Sequence, residues 1–125
     1  MKEQGRLPIT YKVSPLQSHQ EVISKLFDEH PEVDGIFSSD DLIAASVIAE
    51  SIKRGKEIPT QLKVVGYDGT EAVQVLLPEL TTIQQPIDLI AKSAIDILLK
   101  QIEGEFNNFP LETYLPVKLL EGGTT

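Results

Sequence analysis

Apolar residues recur along the chain with two alternating kinds of spacing. Short apolar runs, typical of buried strands, are separated by longer segments in which apolar residues return every three or four positions, as on one face of a helix. The short runs predict five strands, at Ile9–Val13, Gly35–Ser38, Leu62–Tyr67, Leu80–Ile83 and Thr113–Leu120. The longer segments predict four helices, from Ser18 to Pro31, from Ser39 to Arg54, from Glu71 to Leu77 and from Ile87 to Ile102. Residues 121–125 are expected to fray.

Local signals mark where these helices begin and end. The Ser-x-x-Glu sequence that starts at Ser18 has the form of a capping box. Ser39 can cap the second helix, with Asp40 and Asp41 in its first turn, where the helix dipole favours negative charge. Gly55 suits the left-handed residue after its last turn. The apolar stripe of this helix is predicted to consist of Ala45, Ile48, Ala49 and Ile52.

The alternation of strands and helices predicts an α/β fold with a mostly parallel sheet and flanking helices. In such folds ligands bind where the parallel strands end, which we call the carboxyl edge of the sheet. Polar residues follow three of the predicted strands there: Ser38, Ser39 and Asp40, then Asp68, then Gln84 and Gln85. We therefore expect a ligand site at the carboxyl edge.

Composition and charge narrow the classes of function. The chain is 41% hydrophobic and 24% charged, which is ordinary for a globular domain. It has no cysteine, which excludes disulfides and thiolate metal sites and is compatible with a reducing cytosol. The formal net charge of -8, with scattered Lys and Arg, argues against nucleic-acid contacts by these residues. The first residues lack the apolar stretch of a secretory signal.

The polar residues at the carboxyl edge suit a polyhydroxylated ligand. A sugar hydroxyl both donates and accepts, while an ionised Asp accepts and a Gln amide does either. Each hydrogen bond to a charged acceptor contributes about 1.5–3 kcal/mol. Two alternatives stay open. In one, Asp68 only makes an Asx turn with Gly69 and Thr70; in the other, Ser39 and Asp40 only cap their helix.

Catalysis and metal binding are less well supported. His19 and His30 lie at opposite ends of the first predicted helix, about three turns apart, so they cannot share a metal ion. Ser38 and Ser39 have no plausible histidine partner for nucleophilic catalysis. Asp40 and Asp68 as a glycosidase acid pair is a conceivable alternative. No phosphate-binding glycine loop follows a strand. We expect no enzyme, cofactor or metal.

Three motifs in series resemble the LacI/GalR family of bacterial transcription repressors. Residues 34–45, DGIFSSDDLIAA, resemble the strand-to-helix segment of that family. Residues 62–68, LKVVGYD, match its strand ending in Gly-Tyr/Phe-Asp, and residues 78–86, PELTTIQQP, match its Pro-x-Leu-Thr-Thr-Ile-x-Gln signature. The resemblance extends over about residues 9–125. Periplasmic sugar-binding proteins share the fold and resemble the chain more weakly.

The resemblance implies a function and a set of site residues. The chain would be the sugar-effector-binding and dimerisation region of a cytoplasmic repressor of carbohydrate-utilisation genes. Asp68 and Gln85 would bind the effector. Ser39 is a third candidate effector contact; it stands where many relatives carry Asn, a departure that shortens the side chain and removes a donor. The alternative is a periplasmic-type sugar-binding transport receptor, against which the 78–86 motif and the absence of a signal both argue.

The resemblance also implies a division of the chain within a two-subdomain, periplasmic-binding-protein-like fold. Residues 1–86 would be the C-terminal effector-binding subdomain, incomplete at its start, and 87–104 a helix of the other subdomain. Residues 105–125 would be a return strand and tail. Operator DNA would be bound only by an N-terminal domain absent here. The implied homodimer interface comprises Leu42, Ala45, Ala49, Leu76 and Leu77, with ordinary core as the alternative, favoured for the two alanines.

Overall fold

The computed structural model of the chain describes residues 7–14, 17–104 and 112–125. Within these residues, helices and strands alternate as the sequence predicts. The sequence also predicts a loop over 105–110, and those residues lie outside the described part of the chain. The elements are α1 His19–Glu29, β1 Gly35–Phe37, α2 Asp41–Lys53, β2 Lys63–Asp68, α3 Glu71–Leu76, β3 Thr81–Gln84, α4 Ile87–Ile102 and β4 Lys118–Leu120.

The four strands form one sheet in the order β1-β2-β3-β4. The first three are parallel, and β4 runs antiparallel beside β3. The register pairs Phe37 with Val65 and Asp68 with Gln84, so the three parallel strands end at a common carboxyl edge. The predicted α/β fold with a mostly parallel sheet and flanking helices is confirmed.

The core lies between the sheet and the helices α1 and α2. Ile23 and Phe27, four positions apart on α1, bury one face of that helix. From α2 and the strands come the other core side chains, Ala44, Val47, Leu62, Val64 and Leu80.

The face of α2 that is buried, which we call the phase of the helix, differs from the prediction. The helix buries Asp41, Ala44, Val47 and Ser51, whereas Ala49 and Ile52 of the predicted stripe are exposed. Two polar residues on the buried face have internal partners, which removes the penalty of burying them. Ser51 donates to the carbonyl of Val47 (2.7 Å), and Asp41 binds groups of the sheet and its loops.

The strand predicted for residues 9–13 does not form. Residues 7–14 have no regular secondary structure. Tyr11 instead lies beside the end of α1, where its hydroxyl donates to the carboxylate of Glu29 and its ring meets His30 edge-on. Alternating apolar positions describe a strand face, but a strand is stable only beside a hydrogen-bonding neighbour.

The end of the chain is built into the sheet, so the expectation that residues 121–125 fray is wrong. The last strand is shorter than predicted, because only residues 118–120 pair with β3. Beyond it, the buried Thr124 accepts from the N–H of Thr81 (2.9 Å) and donates to the carbonyl of Val64 (2.7 Å). The backbone carbonyl of Thr124 also accepts from the N–H of Val64 (2.9 Å). The tail is therefore tied to both β2 and β3.

Helix α4 has the predicted bounds and stands apart from the core. Its polar residues lie in one stripe, and none of its residues is buried. Ile95, Leu98 and Leu99 are each more than half exposed. Among the described residues, no helix combines the length and apolar character that would let it span a membrane.

Candidate functional site

Asp68 and Gln85 meet at the carboxyl edge, as the sequence predicts. Asp68 ends β2, and Gln85 follows the neighbouring strand β3. The side-chain amide of Gln85 donates to Oδ1 of Asp68 (2.6 Å), and the backbone N–H of Gln85 donates to the carbonyl of Asp68 (3.0 Å). A carboxylate and an amide are thereby held side by side, both partly exposed.

The backbone at Asp68 is strained. Its φ of +117° lies where residues other than glycine are rare, at a cost of about 1–3 kcal/mol. Gly69 follows with φ +59°, and a Cβ there would lie 2.7 Å from Cα of Gln84. The next residue, Thr70, caps α3 by accepting from the N–H of Val73 (3.4 Å). The Asp68 carboxylate itself accepts from Gln85, which follows the neighbouring strand and lies seventeen positions away.

The buried carboxylate of Asp41 binds the turn that follows β2, residues 68–70, which we call the Asp68 turn. Asp41 is 2% exposed, and its Oδ2 accepts from the N–H of Gly69 (2.8 Å) while its Oδ1 accepts from the hydroxyl of Thr82 (2.5 Å). A Cβ at Gly66 would overlap Oδ1 of Asp41, so the glycine makes room for the carboxylate. Sequence reasoning missed this role of Asp41. No local signal could have found it, because the nearly continuous apolar run from Leu42 to Ala49 does not show which face of α2 is buried.

The start of α2 also differs from the prediction. The N-cap is Asp40, whose Oδ1 accepts from the N–H of Ile43 (2.7 Å), and not Ser39. Asp40 has the extended backbone (φ -153°) that is usual for an N-cap residue, and Ile43, to which its carboxylate binds, is the third residue of the helix. Ser39 is exposed at the carboxyl edge after β1. The strand β2 lies between it and the strand that leads to Gln85.

Two aromatic rings lie close to the carboxyl edge. Phe37 ends β1 and Tyr67 precedes Asp68, and their rings pack edge-to-face with centroids 6.4 Å apart. Phe37 is 65% exposed, so an apolar ring surface lies on a strand next to that of Asp68. Gln84 strengthens the neighbouring turn by donating to the carbonyl of Gly69 (3.2 Å).

These groups can bind a ligand rich in hydroxyls. A carboxylate accepts from hydroxyls, an amide donates or accepts, and aromatic rings cover apolar C–H faces. The carboxylate of Asp40 is used as a helix cap, which leaves little support for an acid pair with Asp68. Across the parts of the chain that the structure describes, no cluster of three or more His, Asp or Glu could hold a metal ion.

Comparisons with known proteins show the family of the chain. The family model for the periplasmic binding protein-like domain matches residues 3–125. The chain is 40% identical to the ribose operon repressor of Halalkalibacterium halodurans over 85% of its length, which is 32% of that protein. It is also 40% identical to the sucrose operon repressor of Streptococcus mutans, over 89% of this chain and 33% of that one. The chain thus spans about a third of these relatives.

A solved structure matches as well. The complex of the transcriptional regulator CelR with cellobiose has a TM-score of 0.76 and 26% identity, over 86% of this chain and 33% of that one. The relatives are regulators and not transport receptors. The chain belongs to the periplasmic binding protein-like domain family, in the form found in LacI-family transcriptional regulators.

Proposed function

We propose that the chain is the sugar-effector-binding and dimerisation region of a LacI/GalR-type repressor of carbohydrate-utilisation genes. The observation that carries this proposal is the coupled Asp68–Gln85 pair at the carboxyl edge, beside the exposed ring of Phe37. Relatives that share this part of the chain are repressors of ribose and sucrose operons, and CelR binds cellobiose in its solved complex. A sugar is therefore the class of ligand that fits best.

The mechanism that we propose is a shift between two orientations of two subdomains. The subdomain within residues 1–86 would form one wall of the ligand cleft, and α4 (within 87–104) would pack into the other subdomain. The exposure of apolar side chains on α4 supports this division. A sugar that binds one orientation more tightly shifts the population towards it, and DNA affinity changes with it. The protein acts in the cytoplasm, and a separate domain contacts the operator.

Replacing Asp68 by alanine in the full-length protein should weaken sugar binding about ten- to a hundredfold. The variant loses hydrogen bonds to a charged acceptor, worth about 1.5–3 kcal/mol. Titration calorimetry with D-ribose and with sucrose measures the loss. Glu71→Ala is the matched control, because it removes an exposed carboxylate three positions further along and should leave affinity unchanged. If Asp68→Ala keeps full sugar affinity and only lowers the melting temperature, Asp68 is a turn residue and the proposal is wrong.

The proposed homodimer would form through the outer faces of α2 and α3. Leu42 and Leu76 are 69% and 76% exposed, and Ala49 is exposed as well. Such apolar surface is typical of an interface. Ala45 and Leu77 are partly buried, and Leu77 packs against the core cluster. Leu42 and Leu76 are therefore the strongest candidates for contact across a dimer.

The double variant Leu42→Asp, Leu76→Asp should convert the dimer to a monomer. Two carboxylates would have to be desolvated in the interface, whereas both side chains are exposed in the folded chain. Light scattering at tens of micromolar protein gives the mass. Ile9→Asp, at an exposed apolar position in the N-terminal segment, serves as the control and should remain dimeric. If the double variant stays dimeric, the interface does not involve these faces of α2 and α3.

A further inference from the structure

We propose that Asp41 is a positioning residue for the ligand site, which holds the Asp68 turn in its binding geometry without touching ligand. The inference rests on the proposed function and names a residue through which the site is preorganised. Asp41 is buried, so ligand cannot reach it. Its two carboxylate oxygens bind two separate parts of the chain, the N–H of Gly69 at the carboxyl edge and the hydroxyl of Thr82 within β3.

Asp41 completes the hydrogen bonding of Gly69. The carbonyl of Gly69 accepts from the side-chain amides of Gln74 (2.8 Å) and Gln84 (3.2 Å), and its N–H donates to Asp41. A hydrogen bond to an ionised carboxylate is stronger than one to a neutral acceptor. The residue directly before this anchored glycine is Asp68, at its strained φ of +117°. The bond from Asp41 therefore opposes relaxation of the turn.

The sequence around the site leaves space for this contact. Gly66 lies in β2 opposite Asp41, and any side chain there would overlap the carboxylate. Thr82, the strand partner of Gly66 in β3, supplies the hydroxyl. Asp41 thus ties the start of α2 to β3 and to the turn after β2 that carries Asp68. A carboxylate used only to cap a helix has no such contacts, and Asp40 already caps α2.

The test compares Asp41→Ala, Asp41→Asn and Val47→Ala in the full-length protein. Asp41→Ala should weaken binding of D-ribose or sucrose, whichever the wild type binds, by about tenfold or more. Asp41→Asn should recover most of the affinity, because its amide oxygen can accept from Gly69 while its NH₂ donates to Thr82. Val47→Ala removes buried atoms from the same helix without touching the turn. It should lower the melting temperature and leave affinity unchanged.

Hydrogen–deuterium exchange of a peptide that spans residues 66–72 supplies a readout that needs no sugar. The amide of Gly69 should exchange faster in Asp41→Ala than in Val47→Ala. If Asp41→Ala does not fold, Thr82→Val removes one of the two carboxylate contacts and should shift exchange in the same direction.

The outcomes separate this inference from the proposed function. If neither sugar binds the wild type and exchange at 66–72 still rises in Asp41→Ala, the proposed function fails while the role of Asp41 in holding the turn stands. If Asp68→Ala weakens binding but Asp41→Ala changes neither affinity nor exchange, the positioning role is overturned. It is also overturned if Val47→Ala weakens binding as much as Asp41→Ala does.

Discussion

Replacing Thr124 by valine is expected to lower the free energy of unfolding by about 2–5 kcal/mol. The hydroxyl of Thr124 accepts from the N–H of Thr81 and donates to the carbonyl of Val64, and Thr124 itself is buried. Valine has nearly the same shape but no polar atom. It leaves a buried N–H and a buried C=O without these partners, and each such group costs about 1–3 kcal/mol.

Urea denaturation of wild type and variant gives the difference directly. Thr125→Val is the matched control, since it removes the hydroxyl of an exposed neighbouring residue, which contacts the side chain of Thr81 (2.9 Å). Its effect should stay within about 1 kcal/mol. If the two substitutions lower the free energy of unfolding equally, the hydrogen bonds of Thr124 are not what stabilises the tail against the sheet.

The role of this tail could not be read from its sequence. Gly122, Gly123 and the two threonines after them have the composition of a frayed end. What orders them is long-range contact, because Thr124 binds residues 43 and 60 positions away. The close passage of Gly122 over the carbonyl of Glu79, where a Cβ would overlap it, is equally invisible to local pattern.

Helix bounds were predictable where the signals lie within the helix and its flanks. The long helix α4 begins after Pro86 and ends before Gly104, which has φ +87°, and its predicted bounds are confirmed. The phase of α2 was not predictable in the same way. From Leu42 to Ala49 all but one residue is apolar, so the pattern does not say which face is buried. The contacts of Asp41 with the sheet decide it.

The candidate site was also predictable only in part. A general rule for parallel sheets places ligand groups at the carboxyl edge, and that rule was enough to predict that Asp68 and Gln85 lie together. No comparable rule points to a buried carboxylate beneath the turn. The strained backbone of Asp68 also depends on contacts beyond the local sequence, because both the N–H and the carbonyl of the next residue, Gly69, are hydrogen-bonded to side chains.

Phe27→Ala is expected to lower the free energy of unfolding by about 3–5 kcal/mol, the range for removing a large aromatic side chain from a core. Phe27 is 2% exposed and belongs to the core cluster between α1, α2 and the sheet. Two cationic groups lie over its ring, the guanidinium of Arg54 at 5.5 Å and the ammonium of Lys56 at 5.7 Å. Truncation would remove apolar burial and this ring contact together.

Arg54 also links α1 and α2, through hydrogen bonds to carboxylates and not through apolar packing. It binds Asp28 of α1 (2.6 Å) and Glu50 of α2 (2.8 Å), and its hydrogen bond holds the pKa of Glu50 below the usual value. We expect Phe27→Leu to cost clearly less than Phe27→Ala in urea denaturation, since leucine refills most of the volume. We also expect sugar affinity well below the melting temperature to be unchanged in both, because Phe27 lies in the core and makes none of the contacts that hold the Asp68 turn. A loss of affinity that follows the loss of stability would show that the turn depends on the whole α1–α2 layer, and not on Asp41 alone.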